Sequence, residues 1–148
     1  MNFVIARPGH IYGPQITNTY SRATAQFTRK AIAGEPIVMK SSGTQLRSYP
    51  YTLDCASAIL AILLNGQSGE AYNISNPHSI VTIRQIAEEF SKTAGQELVY
   101  ENPTDQEKAG YNSMDNSSLD STKLESLGWK AKFDVKTGVR RTIEILKN

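Results

Sequence analysis

The spacing of apolar and polar residues changes repeatedly along this chain, and each change predicts a different element of secondary structure. Short runs rich in β-branched or aromatic residues, bounded by Gly, Pro, Ser or Asn, predict strands at residues 3–6, 36–39, 46–51 and 71–74. Apolar residues three and four positions apart predict helices at residues 19–33 and 83–94, and a further helix after Asp134. Strands and helices therefore mix along the whole length, which predicts an α/β or α+β fold.

The clearest helix signal lies between Thr82 and Gly95. Thr82 and Gln85 have the spacing of a capping box, in which each side chain accepts a hydrogen bond from the backbone N–H of the other residue. Gly95 suits the left-handed residue that ends a helix. Further along, a short helix is predicted to end at Gly128, whereas the polar stretch at residues 101–119 predicts a flexible loop.

Residues 52–64 are apolar nearly all round, which predicts a buried helix. The apolar stretch is shorter than the roughly 20 residues that cross a bilayer, so we expect no membrane span. Cys55, the single cysteine, cannot form an intrachain disulfide, and we expect a buried thiol and a reducing, cytoplasmic location. Asp54 and Trp129 are interpreted as capping and packing residues.

Charge and composition narrow the choice of partners. The chain has 148 residues, a size that fits one domain over residues 1–148. Its net charge is +2 and its 16 basic residues are scattered, which argues against nucleic acid or an acidic membrane surface as the main partner. The N-terminus lacks a basic segment followed by a long apolar one, so no signal peptide is expected.

Several signatures of complete active sites are absent from the sequence. It contains no G-x-G-x-x-G turn, no phosphate-binding P-loop and no G-x-S-x-G nucleophile motif. His10 and His78 lie far apart and do not group with Cys55 as metal ligands would. The residues by themselves therefore predict neither a catalytic residue nor a metal site within this chain.

Four segments together carry a specific resemblance. They are RPGHIYGP (7–14), GEPIVMKSSGTQLRSYPYTLDCASAILAILL (34–64), GEAYNISN (69–76) and LDSTKLESLGWKAKFDVKTGVRRTIEIL (119–146). In this order and spacing they resemble the NAD-dependent epimerase/dehydratase family, the extended short-chain dehydrogenases that act on nucleotide-diphosphate sugars. The resemblance extends from about residue 3 to the end of the chain.

The resemblance implies which part of such an enzyme this chain represents. It implies a Rossmann-type α/β fold of which the chain is the C-terminal portion, mainly the small mixed α/β lobe that binds substrate. The N-terminal dinucleotide-binding half and the catalytic Tyr-x-x-x-Lys pair have no counterpart here, because no tyrosine of this chain is followed by a lysine four residues later. NAD or NADP is expected in the complete enzyme, and neither is expected to bind this chain alone.

The resemblance also assigns binding roles near the N-terminus. Pro8, Gly9 and His10 correspond to the segment that passes the nicotinamide of the cofactor, and His10 also to a contact with the substrate diphosphate. From the residues alone, a strand end followed by a turn fits equally well. The family usually has Asn in place of His10, and an imidazole can still donate a hydrogen bond to a phosphate oxygen.

Two further assignments concern the nucleotide. Ile37, Val38 and Met39 correspond to a strand whose main chain lies beside the base, although the residues alone favour an ordinary core strand. Arg47 corresponds to a phosphate-binding arginine, since a guanidinium binds phosphate oxygens with two parallel hydrogen bonds. The alternative is a solvated arginine on an edge strand. The family often has a second phosphate-binding arginine, and residues 110–120 contain none.

The expected partners follow from these assignments. The resemblance implies a nucleotide-diphosphate sugar as the ligand. It also implies a missing Rossmann half or a second copy of the chain as protein partner, because residues 3–14 otherwise expose an apolar edge. Three functions stay open: part of an epimerase or dehydratase that is inactive alone, a non-catalytic module that binds nucleotide sugars, and a folded remnant or oligomerisation scaffold.

Overall fold

The computed structural model describes residues 1–17, 19–111 and 114–148. Within these ranges the strands are β1 (Ile5–Pro8), β2 (Ile37–Met39), β3 (Leu46–Ser48), β4 (Ala71–Ile74), β5 (Ile80–Thr82), β6 (Leu98–Tyr100) and β7 (Asn116–Ser117). The helices in the same ranges are α1 (Ala23–Ala33), α2 (Thr52–Asn65), α3 (Ile83–Ala94), α4 (Asp105–Ala109), α5 (Thr122–Glu125) and α6 (Val135–Lys147).

The described strands form three small sheets. β1 pairs in parallel with β4, and β2 pairs in parallel with β6. β3 lies between β5, which is antiparallel to it, and β7, which is parallel. Helices lie between the parallel partners in sequence, so the predicted mixed α/β class is confirmed.

The first strand begins and ends two residues later than predicted, and Pro8 lies inside it. The Gly9 N–H donates to the carbonyl oxygen of Ile74 on β4 at 3.0 Å. Because donors alternate between the two edges of a strand, the nitrogen of Pro8 lies on the opposite edge, which pairs with no strand among the described residues, so no ladder hydrogen bond is lost there. β1 is therefore an edge strand, and all four of its residues are exposed.

Two hydrophobic clusters hold the elements together. The larger cluster joins α1, α3 and α6 to β2 and to the segment that follows β3, and it includes the fully buried Tyr51, Phe90 and Val139. The smaller cluster joins α2, β4 and α5 around Ile62. Cys55 belongs to this smaller cluster and is 4% exposed, which confirms its predicted burial. Burial raises the pKa of the Cys55 thiol, as expected for a packing residue and not a nucleophile.

The predicted capping box at the start of α3 is confirmed. The Thr82 hydroxyl accepts a hydrogen bond from the Gln85 N–H at 3.1 Å, and the Gln85 side-chain oxygen accepts one from the Thr82 N–H at 2.8 Å. Gly95 ends the helix with a φ of 67°, in the left-handed region. Both ends of α3 are thus determined by local sequence.

A second capping box corrects the prediction of a flexible loop at residues 101–119. The Thr104 hydroxyl accepts from the Glu107 N–H at 3.3 Å, and the Glu107 carboxylate accepts from the Thr104 N–H at 2.8 Å. These bonds satisfy N-terminal amides of α4, so the helix forms although its composition is polar. β7 adds further regular structure. Residues 112 and 113 of the predicted loop lie outside the described residues.

Asp54 and Trp129 connect α2 to the C-terminal segment. The Asp54 carboxylate is 2% exposed and accepts hydrogen bonds from the backbone N–H groups of Lys132 and Phe133, both at 3.0 Å. Trp129 is buried, and its indole N–H donates to the Ser57 hydroxyl at 3.0 Å. The predicted packing role of Trp129 is confirmed. The Asp54 carboxylate lies in the first turn of α2, as predicted, but its hydrogen bonds hold a segment distant in sequence.

The prediction that residues 52–64 form a buried helix is wrong for one side of α2. On that side Leu60, Leu63 and Leu64 are 58%, 67% and 77% exposed. We call Leu53, Ile59, Leu60, Leu63 and Leu64 the apolar face of α2. The all-apolar sequence predicted burial on every side, whereas the other described elements of this chain cover only one side of α2. Within the described ranges, no helix is long and apolar enough to cross a bilayer.

Candidate nucleotide-sugar site

A cavity of about 950 Å³ lies between the start of α1, β2, β3 and the segment 104–111. It falls within the range of roughly 300–1,000 Å³ that is typical of small-molecule sites. Its lining includes three nitrogen-rich side chains, His10, Arg22 and Arg47. Side chains that can donate hydrogen bonds to an anion therefore converge on one cavity.

The structure brings some of the predicted site residues together and separates others. His10, Val38, Met39 and Arg47 line this cavity. Pro8 and Gly9 do not line it, and Ile37 is fully buried in the larger cluster. Gly9 instead lies where the chain passes close to β3, because a Cβ on it would be 2.7 Å from the Ser48 carbonyl oxygen.

The main chain of β2 has one pair of groups that β6 does not use. The Ile37 N–H donates to Glu97 at 2.8 Å, and the Met39 carbonyl oxygen accepts from Glu101 at 2.9 Å. Since the groups of successive residues point to opposite edges of a strand, the N–H and C=O of Val38 point away from β6. A ligand beside this edge can be bound by the Val38 main chain even though the Ile37 side chain is buried.

Arg47 is more buried than an arginine on a solvated edge. It is 3% exposed, and its Nη1 and Nη2 donate to the carbonyl oxygens of Leu46 at 2.8 Å and Met114 at 2.7 Å. Its Nη1 also lies 3.5 Å from the carbonyl oxygen of Asp115. The guanidinium thus links the segment before β7 to β3 through hydrogen bonds. It also contributes positive charge to the cavity, although several of its N–H donors already bind carbonyl oxygens.

His10 lies between these elements with its ring partly buried. Its Nε2 is 3.3 Å from the Ser117 hydroxyl, and its ring centroid is 5.9 Å from that of Tyr49. Burial, followed by the positive charges of Arg22 and Arg47, lowers the pKa of His10 below its ordinary value. The imidazole is therefore neutral at pH 7 and can act as a hydrogen-bond donor through one nitrogen.

An ion pair fastens α4 over the cavity. The Lys40 ammonium donates to the Glu107 carboxylate at 2.6 Å, and the Tyr111 hydroxyl donates to the Lys40 carbonyl oxygen at 3.0 Å. The Lys40 hydrogen bond, helped by the Thr104 N–H, lowers the pKa of Glu107 to about 2. Glu107 is therefore ionised and paired at neutral pH, and its charge is neutralised locally.

Most residues that line this cavity had no role assigned from the sequence, among them Arg22, Lys40 and Tyr111. Arg22 lies inside the predicted helix at residues 19–33, and only the structure places it directly before α1, which begins at Ala23. Lys40 follows the strand already assigned to the base. Tyr111 had no signal in the sequence, because the prediction of a flexible loop removed it from consideration.

Other kinds of site are less well formed. A second cavity, of about 270 Å³, lies between residues 11–17 and α1 and has no charged side chain among its described lining residues. Across the described ranges, no three His, Cys, Asp or Glu side chains are grouped to hold a metal ion. The larger cavity is therefore the candidate site.

The fold is that of Rossmann-type α/β enzymes. In this chain β1 and β4 form a parallel pair, and α2 directly precedes β4 in the sequence. The chain belongs to the NAD dependent epimerase/dehydratase family, whose model matches residues 1–75. The resemblance found in the sequence is thereby confirmed.

Two curated relatives illustrate the similarity. Human dTDP-D-glucose 4,6-dehydratase is 28% identical over 143 residues, covering 95% of this chain and 40% of the human protein. UDP-D-apiose/UDP-D-xylose synthase 2 of Arabidopsis thaliana is 28% identical over 154 residues, covering 89% of this chain and 39% of the plant protein. The chain therefore spans about 40% of the length of these relatives.

Solved structures of similar enzymes also match this chain over less than half of their own length. UDP-glucose 4-epimerase of Thermotoga maritima, crystallised with UDP-glucose, matches with a TM-score of 0.82 and 26% identity, over 97% of this chain and 45% of the epimerase. UDP-glucuronic acid 4-epimerase of Bacillus cereus, in complex with UDP-glucuronic acid and NAD, matches with a TM-score of 0.80 and 20% identity. That match covers 97% of this chain and 45% of the other, and it supports the fold alone.

Proposed function

We propose that this chain supplies the nucleotide-diphosphate-sugar binding part of an NAD-dependent epimerase or dehydratase. The observation that carries the proposal is the cavity of about 950 Å³ on which His10, Arg47 and β2 converge. Its cationic side chains match a diphosphate, and the Val38 main chain offers one donor and one acceptor to a base. The similarity to enzymes that act on nucleotide sugars supports the same ligand class.

Each predicted site residue has a role in this proposal. Arg47 and His10 bind phosphate oxygens, and the main chain of Val38, held in place by Ile37 and Met39, binds the base. Pro8 and Gly9 lie outside the cavity at the end of β1, and we propose that they border the nicotinamide of a cofactor held by another half of the enzyme. A bound NAD or NADP supplies hydride transfer there.

We propose that the chain has no turnover alone, because its sequence contains neither the dinucleotide turn nor the Tyr-x-x-x-Lys pair. The cytoplasmic location inferred from the single cysteine belongs to the same proposal. The partner is a Rossmann half or a second copy. The unpaired edge of β1 and the apolar face of α2 support it, because a free strand edge and exposed leucines favour coverage by another protein surface.

Calorimetric titration with UDP tests the binding role directly. We expect the chain to bind UDP, and we expect Arg47→Lys to weaken binding about tenfold or more, since lysine keeps the charge but lacks the planar fork. Arg140→Lys, on the exposed side of α6, is the matched control and should bind as the native chain does. The melting temperature of each variant shows whether the fold is retained.

Absence of UDP binding by the native chain would contradict the proposal. Incubation with NAD and UDP-glucose should give no epimerisation, and turnover by this chain alone would overturn the assignment of hydride chemistry to another half. If UDP does not bind but the chain self-associates, the scaffold function becomes the better description.

Self-association is a separate expectation with its own test. We expect the native chain to form oligomers as its concentration rises, and we expect the double variant Leu60→Lys with Leu64→Lys to be monomeric, because lysines on the apolar face of α2 stay hydrated. Static light scattering measures the mass. Ile145→Lys changes an apolar side chain, 49% exposed on α6, and serves as the control. A native chain that is monomeric at every concentration would refute the expectation.

A further inference from the structure

Ser117, the last residue of β7, lies beside His10 but does not line the candidate cavity. Its hydroxyl oxygen is 3.3 Å from the Nε2 atom of His10. His10 itself is among the residues that line the cavity. The Ser117 hydroxyl therefore contacts the imidazole without bordering the space for a ligand, and nothing in the family resemblance gives this serine a role.

Hydrogen bonds fix the position of Ser117 from both sides along the chain. Before it, the Leu46 N–H donates to the Asp115 carbonyl oxygen at 2.8 Å, and β7 then pairs in parallel with β3. After it, the Leu119 N–H donates to the hydroxyl oxygen of the fully buried Ser48, also at 2.8 Å. Ser117 thus lies on a segment that β3 holds at both ends.

The same strand also holds His10. The His10 N–H donates to the Ser48 carbonyl oxygen at 2.7 Å. Gly9 lies so close to this strand that a Cβ on it would be 2.9 Å from the Ser48 Cβ. On one side of the imidazole, the Tyr49 ring has its centroid 5.9 Å away at an interplanar angle of 50°. The contact between His10 and Ser117 therefore joins two groups whose positions are both determined by the packing around β3.

An imidazole at this position requires a partner that an amide does not. A neutral imidazole has one nitrogen that donates and one that accepts, and the hydrogen bond made by one nitrogen decides which of them carries the proton. Asn, which the family usually has in place of His10, has fixed donor and acceptor atoms. Among the described residues, the Ser117 hydroxyl is the side-chain partner within hydrogen-bond distance of the His10 ring.

We propose that Ser117 is a positioning residue, whose hydroxyl donates to His10 Nε2 and thereby places the imidazole proton on Nδ1. This inference rests on the proposed function, because His10 then offers an N–H donor, and not a lone pair, to an anionic ligand. Burial and the nearby arginines lower the pKa of His10, so the ring is neutral at pH 7 and its tautomer decides whether it donates or accepts. Ser117 acts only through the ring.

Nuclear magnetic resonance of the ring nitrogens tests the inference without a ligand. The chain has two histidines, so His78→Gln leaves the His10 ring alone in the spectrum. At neutral pH we expect the native ring in the Nδ1–H form, Ser117→Ala in a mixture of both tautomers, and Ser117→Thr, which keeps a hydroxyl, in the native form. Ser118→Ala is the matched control, because the Ser118 hydroxyl makes no hydrogen bond among the described residues.

Calorimetric titration with UDP connects the tautomer to binding. We expect Ser117→Ala to weaken UDP binding about threefold, in proportion to the fraction of the ring that loses the Nδ1–H form. Ser117→Thr and Ser118→Ala should bind as the native chain does. In a His10→Ala chain, Ser117→Ala should cause no further loss, because a residue that acts through the ring has no effect once the ring is absent. Melting temperatures show whether each variant keeps its fold.

The outcomes separate this inference from the function on which it rests. A native ring in the Nε2–H form would overturn the inference, and so would a Ser117→Ala chain that keeps the native spectrum. A loss of affinity that persists in the His10→Ala background would indicate a purely structural role and would overturn it as well. If the native chain does not bind UDP, the proposed function fails, whereas the ring spectra still decide between the two tautomers.

Discussion

Gly138→Ala is expected to destabilise the chain by about 3 kcal/mol, the upper part of the usual range for overpacking a core. Gly138 lies in α6, and a Cβ there would overlap the Tyr12 hydroxyl oxygen and lie 2.8 Å from its Cζ and 3.0 Å from Tyr51 Cδ2. Both tyrosines are buried and have little room to move. Gly→Ala inside a helix normally stabilises a protein by about 1 kcal/mol. A decrease in the free energy of unfolding would therefore indicate that the Cβ overlaps its neighbours.

Urea denaturation measures this effect, and a second substitution identifies its cause. Tyr12→Phe removes the hydroxyl, whose hydrogen bonds to Asp134 and Val135 are both long at 3.4 Å, so it should cost little alone. If the introduced Cβ clashes with the Tyr12 hydroxyl, the double variant Gly138→Ala with Tyr12→Phe should be more stable than Gly138→Ala alone. Gly110→Ala, with its nearest atom at 3.6 Å, is the control. A neutral or stabilising Gly138→Ala would contradict the packing described for α6.

Asp54→Ala is expected to destabilise the chain by about 3 kcal/mol, because it removes two hydrogen bonds to a nearly fully buried carboxylate. The backbone N–H groups of Lys132 and Phe133, now 3.0 Å from the two carboxylate oxygens, would lose their acceptor. Asp54→Asn keeps one acceptor oxygen and should lose roughly half as much. Thermal unfolding of the three chains gives the comparison.

Asp105→Ala serves as the control for Asp54→Ala. Asp105 has a fully exposed side chain with a 3.5 Å contact to Lys108, and its loss should change stability by less than about 0.5 kcal/mol. If Asp54→Ala were as mild as this control, the segment between Trp129 and α6 would have to be held by other contacts. Asp54→Ala should also make that segment more sensitive to proteolysis, which limited digestion can check.

The sequence was sufficient wherever a structural signal is local. The capping box of Thr82 and Gln85 and the left-handed Gly95 bound α3, since every interaction involved lies within a few residues. The same chemistry operates at Thr104 and Glu107, yet the polar composition of residues 101–119 concealed it. Reading capping boxes before composition would have predicted α4 as well.

The candidate site could be predicted only in part. The resemblance selected His10, Val38, Met39 and Arg47, which the structure places around one cavity. It did not select Arg22, because the distance between an arginine before α1 and one on β3 depends on how the helix packs over the strand. The burial of Arg47 was also beyond the sequence, because its acceptors Leu46 and Met114 come from different segments.

By itself, the sequence determined the family, the α/β class, the ends of α3 and the burial of Cys55, because these depend on motifs and on local periodicity. Only the tertiary structure decided that α2 has an exposed apolar face, that Pro8 lies on a free strand edge and that Arg22 faces the cavity. The physical reason is that hydrophobicity and charge say what a side chain requires from its surroundings, whereas the packing of distant segments decides which surroundings it receives.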